Sequence, residues 1–159
     1  MIHLERITDG NVWRVLKLAV ADDQRGFVAT NTESIVEAYL ALSEGRVALP
    51  YAIYNDDEPV GFVMFGYGSD GSGEAPSVAA GNYCLWRFMI DASHQHKGYG
   101  REAFAKAMEF LQTKPCGDAE LCWLSYEPGN TAARALYLSF GFEENGELCG
   151  DETVAVRKL

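Results

Sequence analysis

Positive charge is scarce in this chain. Lysine and arginine number 13 against 23 aspartates and glutamates, for a formal net charge of −10 and an isoelectric point near 4.7. Such a surface repels polyanions, so neither nucleic acid nor an anionic membrane is an expected partner. It attracts cations, although acidity also serves solubility alone. Long hydrophobic runs are missing too: none reaches the ~18 residues of a membrane-crossing helix. There are four cysteines, Cys84, Cys116, Cys122 and Cys149, and no CxxC pair, so buried free thiols are expected rather than disulfides or zinc ligands. The opening MIHLERITDG lacks a basic stretch followed by an apolar one. No secretory signal is expected, and a reducing cytoplasm is predicted. Internal repeats are absent, and only the Gly/Ser/Ala-rich stretch at 66–81 is compositionally biased.

What is present fits one domain of 159 residues, ordinary in its 48% hydrophobic and 23% charged content. Ile2 to Ile7 alternates as a strand. Behind a cap at Thr8 or Asp9, Val12, Trp13, Val15, Leu16, Ala19 and Val20 share a helical face. After an irregular polar stretch at 21–31, a second helix is predicted from Thr32 to about Gly45. Its inward side is read as Ile35, Val36, Tyr39, Leu40 and Leu42. A hairpin follows, Pro50 to Tyr54 and Val60 to Tyr67, then the 66–81 loop. The apolar run Tyr83 to Ile90 reads as a central buried strand. From Gly100 the period becomes helical, with Ala103, Phe104, Ala107, Met108 and Leu111 on one face and Pro115 and Gly117 ending it. Glu120 to Tyr126 is a strand, Asn130 caps a helix that ends at Gly141, and Glu147 to Val156 supplies one or two closing strands. The order is β-α-α-β-β-β-α-β-α-β-β. It predicts an α/β fold with a mixed sheet of about six to seven strands, and the helix from 100 crosses over between two parallel strands.

Between the central strand and that crossover helix lies SHQHKGYGREAF, Ser93 to Phe104. A helix N-terminus leaves N–H groups free and carries partial positive charge. Gly98 and Gly100 permit a sharp turn and close approach by a ligand, and Lys97 adds charge. Alone, the pattern fits a glycine-rich helix start as well as a phosphate cradle. The GxxxxGK[ST] of a Walker loop is missing, and a GxGxxG dinucleotide fingerprint would require a larger fold around it.

Gln95-His96-Lys97-Gly98-Tyr99-Gly100 resembles the (Q/R)xxGx(G/A) signature of the GCN5-related N-acetyltransferases, the GNAT superfamily. Trp86-Arg87-Phe88-Met89-Ile90-Asp91 is similar to the strand leading into it. Asn130, Ala132-Ala133, Leu136-Tyr137 and Phe140-Gly141-Phe142 are similar to the family's N…A…LY…GF segment. The two motifs lie ~30 residues apart, each on the expected element, and the likeness spans essentially the whole chain.

The resemblance implies acetyl-CoA as cosubstrate and no metal. The backbone amides of His96, Lys97, Gly98, Tyr99, Gly100 and Arg101 would hold the pyrophosphate, with Gln95 opening the signature. The backbones of Phe88, Met89 and Ile90 would pair with the pantetheine arm, and Asn130 would contact it while also capping its helix. Tyr137 would protonate the leaving thiolate, a task within reach of a phenol of pKa near ~10. The oxyanion would be met by a strand amide, taken as that of Met89. Relatives often carry a glutamate early in the central strand. Here Tyr83-Cys84-Leu85-Trp86 has no carboxylate, which leaves the base open between Asp22, Asp23, Glu33, Glu37 and ordered water. His94 and His96 form an HxH pair but lack the further ligands of a metal site. Arg87 is an unusual charge in a buried strand, to be paired with a carboxylate or set at the sheet's splayed edge.

Within the superfamily, FVATN…SIVEAY and WRFMID…QHKGYG resemble the bacterial spermine/spermidine (diamine) acetyltransferases. That implies a polyamine acceptor. A flexible polycation wants spaced carboxylates and aromatic walls. Asp22, Asp23, Glu33 and Glu37, with Tyr39, Tyr51 and Tyr54, are the candidates, set against a merely solvated acidic face. Another amine acceptor (amino acid, aminoglycoside, protein N-terminus) and a non-catalytic acyl-CoA-binding module are the alternatives. A homodimer is expected by analogy.

Overall fold

The computed structural model describes residues 1–68 and 73–159. The middle of the loop expected at 66–81 lies outside the described residues. Its flanks are ordered: the preceding strand runs on to Tyr67, and Ser77–Ala79 forms a single 3₁₀ turn.

Seven strands form one sheet in the order β1-β2-β3-β4-β5-β7-β6, with β1 Ile2–Arg6, β2 Val47–Asn55, β3 Glu58–Tyr67, β4 Tyr83–Ile90, β5 Leu121–Tyr126, β6 Glu143–Cys149 and β7 Glu152–Lys158. Every pairing is antiparallel except β4 with β5. The parallel step is bridged by α3, Tyr99–Gln112, as a crossover requires. α4, Thr131–Ser139, joins β5 to β6.

The two faces of the sheet are covered differently. On one, Phe104, Ala107, Met108 and Leu111 of α3 pack with Tyr137 of α4 onto Tyr83, Leu85, Leu124 and Tyr126. On the other, α1 (Val12–Val15) and α2 (Asn31–Ser43) cover β2 and β3 through Val15, Ala38 and Ala41 against Ala48, Ala52, Phe62 and Met64. A third cluster, Ala79, Trp123 and Val154, continues this second face over β5 and β7.

The helices before β2 depart from expectation. α1 is helical only over four residues, and Trp13 is 68% exposed. The chain turns on through Lys17 and Leu18, whose N–H groups donate to the Arg14 and Val15 carbonyls, and is then tied to the turn that follows β4: Ala19 N–H donates to Asp91 Oδ1 at 2.9 Å, and Ala92 N–H to the Ala19 carbonyl at 2.8 Å. α2 begins one residue earlier than predicted. Thr30 caps it and Glu33 completes a reciprocal capping box. Its buried face is Asn31, Ser34, Ala38 and Ala41, whereas Val36, Tyr39, Leu40 and Leu42 are exposed. Small side chains let the helix backbone lie close on the alanine-bearing strand β2. Of the larger apolar residues, Ile35 packs against this cluster as expected and the other four stand outside the contact.

Candidate active site

β4 and β5 are paired over only two positions, Tyr83↔Cys122 and Cys84↔Trp123. Beyond them the strands part. The cause is local: the register of β4 on β3 slips between Phe65↔Leu85 and Met64↔Arg87, leaving Trp86 as an extra residue. Such a bulge bends its strand. It also sets two successive side chains on one face, since Trp86 packs with the α2-side cluster and Arg87 bonds Glu37 on α2.

After the bulge, strand alternation decides which amides face the opening. Asp91 N–H donates to the Val60 carbonyl of β3 at 2.8 Å. Amides two apart point the same way, so Met89 also faces β3. The amides of Phe88 and Ile90 face the side where β5 has drawn away. The N–H of Met89, the expected oxyanion donor, is thus turned to the neighbouring strand.

The opening holds a cavity of about 660 Å³. One end is the turn at the start of α3. There Gly98 adopts φ +85° and His96 φ +61°, both in the left-handed region. Among the described residues, the amides of His96, Lys97, Gly98, Tyr99, Gly100 and Arg101 have no backbone acceptor; the first intrahelical bond is Glu102 N–H to the Gly98 carbonyl. Six successive donors at a helix N-terminus form a ready anion cradle. Gln95 braces it, donating through Nε2 to the Ile90 carbonyl at 3.0 Å and to Gln24 Oε1 at 2.7 Å. Gln95, His96 and Gly100 line the cavity. The Arg101 side chain turns elsewhere, to Ser139 Oγ at 3.1 Å and over the Phe140 ring. His94 sits between Asp91 and Glu58, and among the described residues no group of three or more His, Cys, Asp or Glu is placed to hold a metal ion.

α4 forms another wall. Asn130 Oδ1 accepts from Ala133 N–H at 3.3 Å as an N-cap, and Asn130 lines the cavity as well. Tyr137, 8% exposed, also lines it and packs against Phe104 and Tyr126. Burial, with the charge of Glu152 nearby, pushes its phenol well above the ordinary tyrosine range and keeps it protonated at neutral pH.

The carboxylates singled out for the acceptor do not converge. Asp22 and Asp23 lie in an exposed 3₁₀ turn, Asp22 paired with Arg25 at 2.9 Å. Glu33 lines the cavity but is engaged in the α2 cap, and Glu37 is held by Arg87 Nη2 at 2.8 Å. The pairing settles Arg87, which has both a carboxylate and a place at the splayed edge. The tyrosines do not form walls either: Tyr39 is 70% exposed, Tyr54 is buried under α2, and Tyr51 stacks on Phe65 and Phe110. Of the thiols, Cys122 is buried as expected but Cys116 is exposed. Among the described residues no helix is long and apolar enough to cross a membrane.

Sequence reasoning missed Glu152. It stands at the start of β7, two residues before Val154 and so on the Trp123 side of the sheet. Its Oε1 accepts from Ser125 Oγ at 3.4 Å, and it lines the opening. Burial, and then the charge of Glu127, raises its carboxyl above the usual range, against the lowering effects of Ser125 and Arg87. The stretch Glu147 to Val156 reads only as closing strands and gives no signal of this position. Only the pairing of β7 with β5 brings Glu152 to the opening.

Comparison with known proteins agrees with this architecture. The model of the Acetyltransferase (GNAT) family matches residues 20–142. The spermine/spermidine N(1)-acetyltransferase of Bacillus subtilis (strain 168) is 29% identical over 99% of both chains, as is a probable spermine N(1)-acetyltransferase of Bacillus subtilis subsp. natto (strain BEST195). Aminoglycoside acetyltransferase AAC(6')-Ib with coenzyme A and kanamycin superposes with a TM-score of 0.78 at 20% identity, covering 99% of this chain and 95% of that one. The PaiA N-acetyltransferase of Thermoplasma acidophilum with coenzyme A gives 0.68 at 12% identity, over 100% and 99%. A sheet split between two parallel strands, with an amide cradle at the crossover helix, thus accompanies a family match over most of the sequence: the chain belongs to the GNAT family of N-acetyltransferases.

Proposed function

We propose that the protein transfers the acetyl group of acetyl-CoA directly to a primary amine of a polyamine such as spermidine or spermine. The observation that carries the transfer is the opening between β4 and β5, which ends on the unpaired amides of His96 to Arg101. A diphosphate fits that cradle: six successive amides lack backbone acceptors there, and Lys97 supplies charge. The extended arm of the cofactor would run from there along β4, bonding the outward amides of Ile90 and Phe88.

The thioester, at the far end of that arm, would lie toward the apex where the strands close. Phe88 is the outward amide nearest the apex, so its N–H is assigned to the oxyanion in place of Met89. Tyr137 lines the same space and supplies the proton that the leaving sulfur takes.

The polyamine acceptor is supported by the two Bacillus relatives, named for spermine or spermidine, and by the net charge of −10. Release of thiol from acetyl-CoA over a panel of amines tests the reading. Turnover with spermidine or spermine is expected. Turnover confined to amino acids, aminoglycosides or peptides overturns the polyamine assignment, and coenzyme A binding without release from any amine leaves only a binding module.

A further inference from the structure

A second cavity, about 290 Å³, lies on the α2 side of the sheet. It meets the larger one at Trp86, Arg87, Ser125 and Glu152, which line both. The meeting point is where β4 and β5 part. The reacting carbonyl would therefore be reachable from either face of the sheet. The face carrying α3 bears the cradle and Tyr137. The opposite face is left for the acceptor; Asp22 and Asp23 line neither cavity.

We propose that the acceptor amine enters through this second cavity, between Trp86 and Trp123, and that Glu152 is the base that takes its proton. The inference rests on the acetyl-transfer reading and adds the base which that reading lacks. Indole rings suit the methylenes and the charge of an alkylammonium. Among the described carboxylates, Glu152 is distinguished by lining both cavities: Glu33 and Glu127 line only the first, Glu74 lines only the second, and Glu37, bonded to Arg87, lines neither.

The step balances without another reactant. An ammonium N–H gives its proton to Glu152, and the freed lone pair forms the C–N bond to the thioester carbonyl while the Phe88 amide receives the oxyanion. The C–S bond breaks, sulfur takes the Tyr137 proton, and the surplus proton on nitrogen restores the phenol. Products are the amide and free thiol, with one proton left on Glu152 to pass to solvent.

Burial makes Glu152 a better base than an exposed carboxylate. The groups facing it are Ser125 and Glu127 of the β5 side, Arg87 of β4, and Tyr137 of α4; Arg46, Glu74 and Cys149 share the second cavity. Only the deprotonated form accepts, so kcat/KM should fall on the acid side through a group lying above the usual carboxylate range.

The test compares the wild type with Glu152→Gln and Glu152→Asp, using spermidine or whichever amine of the panel turns over best. Expected for Glu152→Gln is a loss in kcat/KM of about 10²–10³-fold, disappearance of the acid limb, and acetyl-CoA affinity within threefold by calorimetry. Glu152→Asp should regain the limb and part of the rate, which a merely structural loss would not allow. Far-UV circular dichroism confirms folding of both. Wild-type turnover with Glu152→Gln within threefold and the limb unchanged overturns the role of Glu152 alone. Absence of turnover by the wild type with every amine overturns acetyl transfer and this role together.

Discussion

Arg87 Nη2 donates to Glu37 Oε2 at 2.8 Å, tying the strand that opens the sheet to the helix that covers it. The arginine side chain is 19% exposed and the glutamate 41%, so the pair is only partly shielded from water. Its removal should cost about 1 kcal/mol, between the surface and buried cases. Glu37→Gln should lower the urea midpoint accordingly. It leaves the guanidinium in place, so acetyl-CoA affinity should hold. A midpoint equal to wild type would mean that the pair does not anchor α2.

Tyr137 makes a sharper test of chemistry against binding. Phenylalanine keeps the packing on Phe104 and Tyr126 and removes only the hydroxyl. Tyr137→Phe should reduce kcat about 10²-fold with acetyl-CoA affinity nearly unchanged. The basic limb of the rate profile should not reflect this group near neutrality, since burial raises its phenol well above the ordinary value. A kcat near that of the wild type would assign the leaving proton to another donor.

Gly98 tests the cradle. At φ +85° its restriction is conformational rather than steric, because nothing lies within 4 Å of a built Cβ. Gly98→Val should therefore cost about 1–3 kcal/mol of backbone strain or shift the turn. Acetyl-CoA affinity should fall more than tenfold while circular dichroism is retained. Gly98→Asn, which tolerates the left-handed region, should bind within a few-fold of wild type. Equal losses in both would point to the side chain's bulk, not the backbone, as the cause.

Legibility in the sequence followed the range of the interactions. β4, α3, β5 and α4 were readable because their apolar periods and caps are local, and the GxG turn sits between two such elements. The face of α2 was not: its alanines and serine bury because β2 offers alanines opposite, and no periodicity distinguishes them from the larger residues they displaced. α1 was overread because Ala19 is claimed by Asp91, a residue 72 positions away. The run of free amides at the start of α3 could be named residue by residue, since backbone amides follow chain order. The second cavity could not, because Trp86, Trp123 and Glu152 come from three strands whose register only the folded sheet fixes.

That same Asp91 yields a pH prediction for stability. Its carboxylate accepts from Ala19 N–H at 2.9 Å and Ser93 N–H at 3.1 Å, with Ser93 Oγ and His94 Nδ1 also on it. Burial by itself would raise its pKa, but the hydrogen bonds together outweigh burial and hold the carboxyl below the usual range. A group whose folded pKa is depressed stabilises above its unfolded pKa of ~3.9, and that contribution fades as pH falls through the folded value. Asp91→Asn should thus lower the melting temperature at neutral pH, by loss of the charge-assisted bonds, and flatten the decline below pH ~4. The amide retains one acceptor, so the chain from Leu16 to Ala21 should stay docked and acetyl-CoA affinity should change less than with Gly98→Val. A variant with the same acid decline as wild type would show that other carboxylates govern it and that Asp91 serves only as a turn cap.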